Sequence, residues 1–313
     1  MKLFKTLPGA AYAWMIAMAA CAGTVQAQTL APRDIPQRGV QSFTFDSKIM
    51  GLSYDVTVRV PNDYSQTPDG RFPAIVLVDG NRFFPAAQGA LTAIEGALAS
   101  PMILIAIGTP FEAGNTEYGR RRAFQFSPPG WTRNGAYGAI ISASCERRGV
   151  TDPQSCTGGA DAFLTFLTDE IVPVLAQDFR IDTQNLALAG VSAGGAFATW
   201  TMFQEASPFS AYIISSGVMA MGDGALYALE ESFAATHSDL NARVYFSSGS
   251  REGSHPVLER VGEIASGQAR MAAALNSRQY PSLQVFSEVQ AGLGHEDGFA
   301  AAMVKGLRAL YAE

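Results

Sequence analysis

The chain has 313 residues, 48% of them hydrophobic and 16% charged, with a formal net charge of −6. That composition belongs to a globular protein and excludes disordered and fibrous classes. An acidic balance without a basic block also excludes tracking of a phosphate backbone, so no nucleic acid is expected as a partner.

The first residues address the compartment. Lys2 and Lys5 are followed by an apolar run over 10–20 and by small residues leading to Val25-Gln26-Ala27. The pattern predicts a signal peptide over residues 1–27, cleaved before Gln28, and hence a periplasmic or secreted protein. The apolar run is shorter than the roughly 20 residues a bilayer span requires. A lipoprotein tethered at Cys21 is the alternative, disfavoured because Met18 stands where such sites usually carry Leu. Charges and prolines interrupt every later apolar stretch, so no integral membrane segment is expected after cleavage. Cleavage removes Cys21 and leaves Cys145 and Cys156. In an oxidising compartment, two cysteines this close predict a disulfide. No histidine is near them in sequence, so no metal site is expected there.

Residues 28–41 are polar and Pro-containing and predict a loose N-terminal arm. Residues 42–48 and 52–60 alternate apolar and polar side chains and predict an antiparallel hairpin. The continuous apolar runs 74–79 and 102–107 predict buried central strands, with a helix over 85–100 between them. Residues 110–158 combine Gly, Pro, Arg and aromatics without a period and predict a long loop over the active site. Helical spacing returns at Asp161, with Phe163, Phe166, Leu167, Ile171 and Leu175. Strand 186–189, helix 194–205, strands 211–215 and 243–247, helix 259–275, strand 283–287 and helix 298–311 complete the chain. The expected fold class is α/β. A single domain over 42–313 would hold a mostly parallel central sheet, antiparallel N-terminal strands and helices on both faces.

Between strand 186–189 and the helix after it stands Gly190-Val191-Ser192-Ala193-Gly194, a G-x-S-x-G sequence. In five residues the pattern is weak; the strand before it and the helix after it make it a nucleophile elbow with Ser192 as nucleophile. A serine hydroxyl needs a base, and in α/β-hydrolases the chain order is Ser, acid, His, with the His after the last strand. Of His237, His255 and His295, only His295 holds that place. The acid should follow strand 243–247, where Glu252 is the first carboxylate, and Asp223 is the competitor. The oxyanion hole needs two main-chain N–H groups, expected from Ala193 and from Asn81 after strand 74–79.

Four segments in order, Val78-Asp79-Gly80-Asn81-Arg82-Phe83-Phe84, Gly158-Gly159-Ala160-Asp161-Ala162-Phe163, Gly190-Val191-Ser192-Ala193-Gly194-Gly195 and Gly294-His295, carry a resemblance. From about Ser42 onward the chain resembles the esterase family related to esterase D, especially its enterobactin (trilactone siderophore) esterase branch. The resemblance implies an α/β-hydrolase fold and carboxylic ester hydrolysis through an acyl-enzyme, without a cofactor. Family members carry an Arg-x-x-Asp-like segment ending in Thr-Pro; here Arg122 begins it, Gln125 replaces the acid and Ser127-Pro128 replaces Thr-Pro.

Arg120, Arg122 and Trp131, with Phe124, Phe126 and Arg133 nearby, would offer charge and flat apolar surface to an anionic aromatic acyl group. Ion pairs that merely tie the loop down are the plain alternative. The combined expectation is an exported serine esterase acting on a small-molecule ester, led by catecholate siderophore trilactones. A cinnamoyl (feruloyl) or general short-chain carboxylesterase is the alternative enzyme, and a non-catalytic hydrolase-fold binding module is the rival class.

Overall fold

The continuous apolar runs form the centre of the sheet. The computed structural model describes residues 39–131, 135–150 and 152–312, with the side chains of 153 and 154 excepted. The expected signal peptide and the arm up to residue 38 lie outside the described residues. The strands are β1 (Val40–Ser47), β2 (Leu52–Arg59), β3 (Phe72–Val78), β4 (Ile103–Gly108), β5 (Ile181–Val191), β6 (Phe209–Ser215), β7 (Arg243–Gly249) and β8 (Gln284–Gln290). The helices are α1 (Gly80–Ile94), α2 (Gly114–Gln125), α3 (Gly135–Arg147), α4 (Pro153–Cys156), α5 (Ala160–Thr165), α6 (Val172–Asp178), α7 (Ala193–Thr201), α8 (Ala225–Thr236), α9 (Ala265–Arg278) and α10 (Gly298–Tyr311).

The sheet order is β1-β2-β4-β3-β5-β6-β7-β8 among the described residues. β2 pairs antiparallel with β1 and β4, and the other neighbours are parallel. Every residue of β3 and β4 is buried, as parallel strands covered on both faces require. Alternation sends Ile75, Leu77, Ala187 and Ile213 to the face covered by α1 and α10. Val76, Val78, Leu188 and Ile214 face the other way, toward α5, α7 and α9. An aromatic cluster on that side stacks Tyr54 on Phe166 and joins Phe163, Phe126 and Phe197. β4 lies on one side of β3 and β5 on the other, so the crevice above the carboxyl ends of β3 and β5 is the topological switch point.

Three expectations are corrected. The arm ends sooner than residue 41, because β1 already starts at Val40 and pairs with Arg59. The helix expected from 259 starts at Ala265, and Glu259 instead accepts the Ala265 and Ser266 N–H groups at its first turn. The expected loop over 110–158 contains α2, α3 and α4. α2 lacks an apolar stripe; Glu117 pairs with Arg120 and Arg121 at helical spacing, and Arg121 also donates to the Ser53 carbonyl. Charge pairing and anchoring polar contacts replace the hydrophobic period that announces most helices.

Cys145 and Cys156 are joined in a disulfide between α3 and α4, with Cα atoms 6.1 Å apart. Closing so short a loop is worth roughly 2–4 kcal/mol on the chain-entropy model. Among the described residues, no helix is long and apolar enough to cross a membrane.

Candidate active site

β5 ends at Val191, and α7 begins two residues later at Ala193. Ser192 therefore takes the whole turn, at φ 60° and ψ −118°. A non-glycine residue held at positive φ costs on the order of 1–3 kcal/mol, so its surroundings must hold it. They do: Ser192 N–H donates to Ser215 O at 3.0 Å, and Ser192 O accepts from Val218 N–H at 3.1 Å and Ala196 N–H at 3.0 Å. The flanking glycines permit the turn. A Cβ on Gly190 would lie 2.2 Å from Gly194 O, and one on Gly195 would lie 2.9 Å from Gly217 Cα.

His295 lies on the turn between β8 and α10, and its Nδ1 is 2.6 Å from Glu252 Oε1. Nδ1–H donates to the carboxylate, which leaves Nε2 as the basic nitrogen. Glu252 is only 1% exposed, and its other oxygen accepts from Ser216 Oγ at 2.8 Å and Gly249 N–H at 2.6 Å. The loop after β7 and the histidine turn interlock, since Arg251 N–H donates to Leu293 O at 3.0 Å. A Cβ on Gly249 would stand 2.4 Å from that carbonyl, which explains the glycine. Arg251 pairs with Asp297 and leaves the Glu252 carboxylate to His295. Asp223, the competing acid, sits against Gly135 at the start of α3. His237 stacks on Phe233, and His255 accepts the Val257 and Leu258 N–H groups.

The amides of Asn81 and Ala193 stand at the first turns of α1 and α7. Neither has an acceptor among the described residues, whereas the Arg82 and Phe83 N–H groups are taken by Asp79 O. The Asn81 side chain folds over Gly108 and donates to Thr109 O. Helix N-termini favour negative charge, so both amides are disposed to hold a developing oxyanion.

Ser192 and His295 line one cavity of about 90 Å³, together with Arg82, Phe83, Tyr118, Arg122, Val191 and Glu296. A groove of about 500 Å³ shares Arg82 and Tyr118 with it and continues past Asn81, Asn115 and Phe111, a ring that is 85% exposed.

The three expected substrate-binding residues separate. Arg122 lines the cavity, but its Nε is bound to buried Asp79 at 2.7 Å. Burial opposes its charge and Asp79 more than offsets that, so the guanidinium is held firmly ionised. Arg120 is outside the cavity lining, since Glu117 holds both its Nε and Nη2. Trp131 packs against Gly222 and the core and is absent from the same lining. Arg133 lies outside the described residues. Tyr118, Arg82, Asp79, Glu296 and Ser216 escaped sequence reasoning. Tyr118 and Arg122 are four apart, so they share a helix face, a signal visible only once α2 is known to be a helix. Burial and then the Asp79 charge push the Tyr118 phenol up, keeping it protonated to donate to Asp79 Oδ1 at 3.0 Å.

Comparison with known proteins agrees with this architecture. The chain is 28% identical over 256 residues to the "Siderophore enterobactin esterase" of Emericella nidulans, covering 76% of this chain and 78% of that protein. It is 30% identical over 190 residues to the "Siderophore triacetylfusarinine C esterase" of Aspergillus fumigatus, a match spanning 59% of this chain and only 58% of that relative. The solved structure of the BES protein from Bacillus cereus superposes with a TM-score of 0.73 at 23% identity, covering 91% of this chain and 100% of that one. The model of the family described as "Putative esterase" matches residues 47–310, a span that takes in Asn81, Ser192, Glu252 and His295. The chain belongs to that esterase family.

Proposed function

We propose that the chain is an exported serine esterase that cleaves siderophore esters through an acyl-enzyme on Ser192. The observation that carries this reading is one cavity shared by a strained Ser192 and by His295, whose Nδ1 is held by buried Glu252. Ser192 Oγ attacks the ester carbonyl while His295 Nε2 takes its proton. The carbonyl oxygen becomes an oxyanion between the Asn81 and Ala193 N–H groups. The C–O bond then breaks, and the proton on Nε2 passes to the leaving alkoxide. Water repeats the sequence on the acyl-enzyme and releases the acid and free Ser192.

The siderophore class is supported by the similarity to the siderophore esterases of Emericella nidulans and Aspergillus fumigatus and by the space available. A cavity of about 90 Å³ admits little beyond the reacting ester, so the rest of a large substrate lies in the groove past Asn81 and Phe111. Charge selection moves from the expected Arg120 and Arg122 to Arg82, half-exposed and, among the described residues, ion-paired only with exposed Glu296. Such a pair is weak and leaves the cation available to an anionic ligand.

Steady-state kinetics on a catecholate trilactone, methyl ferulate and p-nitrophenyl butyrate test the proposal. The trilactone is expected to show the highest kcat/KM. Arg82→Ala is expected to weaken it about 3- to 10-fold through KM, and raised salt to act in the same direction. Arg120→Ala is expected to change nothing. A preference for methyl ferulate would transfer the reading to a cinnamoyl esterase, and one for the butyrate to a general carboxylesterase. Export rests on residues 1–27, and the intact mass of protein from the medium or periplasm should correspond to a chain beginning at Gln28. A retained N-terminus, or a lipid on Cys21, would refute the cleavage.

A further inference from the structure

The two halves of the oxyanion hole follow β3 and β5, which stop pairing with each other before they reach it. The last register pair between β3 and β5 is Leu77 with Ala189, three residues short of Ser192 on β5's side. Beyond it one strand turns into α1 through Asp79-Gly80-Asn81, and the other turns into α7 through Val191-Ser192-Ala193. The direct β3–β5 ladder therefore ends short of the Asn81 and Ala193 amides, and each turn is tied by backbone pairing only to its outer neighbour, β4 for one and β6 for the other. A side chain spans the gap. Arg122, reaching in from α2, donates from Nε to Asp79 Oδ2 at 2.7 Å and from Nη2 to Val191 O at 3.0 Å.

We propose that Arg122 is a positioning residue that clamps the two halves of the oxyanion hole at their working separation, a role distinct from binding substrate charge. The inference rests on the esterase reading given above. Asp79 is the other jaw. It sits in the left-handed region at φ 58° and ψ 37°, its carbonyl accepts the Arg82 and Phe83 N–H groups, and its carboxylate is buried. Those contacts orient the turn that presents the Asn81 amide, and Tyr118 O–H fixes the remaining carboxylate oxygen. A planar guanidinium fork reaches two acceptors at once in fixed geometry, which a single flexible ammonium does not. With its charge already matched by Asp79, Arg122 has little left for an anionic substrate. Displacing a reacting group by about 1 Å costs on the order of 100-fold in rate, so a clamp of this kind acts on kcat.

The test compares Arg122→Lys, Tyr118→Phe and Ser192→Ala on neutral p-nitrophenyl butyrate and on the anionic trilactone. Arg122→Lys is expected to lower kcat about 10- to 100-fold on both substrates, with KM within about two-fold and no dependence on salt. Its affinity for a boronic acid that forms a tetrahedral adduct on Ser192 should fall by the same factor, because the adduct occupies the oxyanion hole. Tyr118→Phe keeps the ion pair and the fold while freeing one Asp79 oxygen, and a smaller kcat loss of about 3- to 10-fold is expected, again equal on both substrates. A loss confined to the anionic substrate, appearing in KM and eased by salt, would overturn the clamp and return Arg122 to substrate binding. Unchanged kcat in both variants would also overturn it. Turnover surviving in Ser192→Ala would instead bring down the esterase reading itself, and the clamp with it.

Discussion

Ser192→Ala is expected to lower ester turnover by roughly 10⁴- to 10⁶-fold and to abolish labelling by a fluorophosphonate, with little change in melting temperature. The size follows from losing covalent catalysis while binding and the oxyanion amides remain, which leaves only residual acceleration over water. The small stability effect follows from the backbone. Serine and alanine both carry a Cβ, so the strain at φ 60° is the same in either protein. The Ser215 and Val218 contacts that hold the turn use only main-chain atoms of Ser192 and persist in the variant. Active-site titration with mass mapping of the labelled peptide, beside kcat for each ester, checks the expectation. Label found on a different serine would refute the assignment. A wild-type protein that neither labels nor turns over any ester would favour a binding module that retains the fold.

Glu252→Gln is expected to lower kcat about 10³- to 10⁴-fold with KM nearly unchanged, whereas Asp223→Asn is expected to leave both intact. One carboxylate oxygen accepts two donors, Ser216 Oγ and Gly249 N–H, and the other faces His295 Nδ1. In the glutamine variant the amide oxygen must take the doubly donated position, which turns the NH2 toward the imidazole. Nδ1 then becomes an acceptor and Nε2 carries the proton, the wrong tautomer for a base beside Ser192. The change keeps the volume of the side chain, so the loss should appear without unfolding. Kinetics of the two variants in parallel decide between the acids. A damaging Asp223→Asn with a harmless Glu252→Gln would reverse the assignment, and two harmless changes would leave a Ser-His dyad.

Much of this protein is legible one segment at a time. The buried strands announce themselves because a strand covered on both faces must be apolar throughout, as Ala74 to Val78 and Ile103 to Ile107 are. The last helix falls on Gly298–Tyr311 as its spacing predicts, since α10 lays one continuous apolar stripe on the sheet. The tight turn at Ser192 is written in its glycines, because any Cβ at Gly190 would strike Gly194. The disulfide is equally local, joining cysteines 11 residues apart.

Other features depend on what the sheet brings together. α2 is held by Glu117, Arg120 and Arg121 and by a carbonyl on β2, and so carries no hydrophobic period to read. Glu252 and His295 are 43 residues apart and meet because β7 and β8 are neighbours, so their loops emerge on the same edge. The contrast between Arg120 and Arg122 is the sharpest case. Two residues apart on one helix, they point about 200° apart around its axis. One finds Glu117 on its own helix, and the other finds Asp79 at the end of β3 and Val191 at the end of β5. Burial and backbone conformation are properties of a short stretch, and a sequence records them as periodicity, glycine and proline. Which charge meets which partner depends on the order of strands and on the reach of side chains across it, and the packed tertiary structure alone decides that.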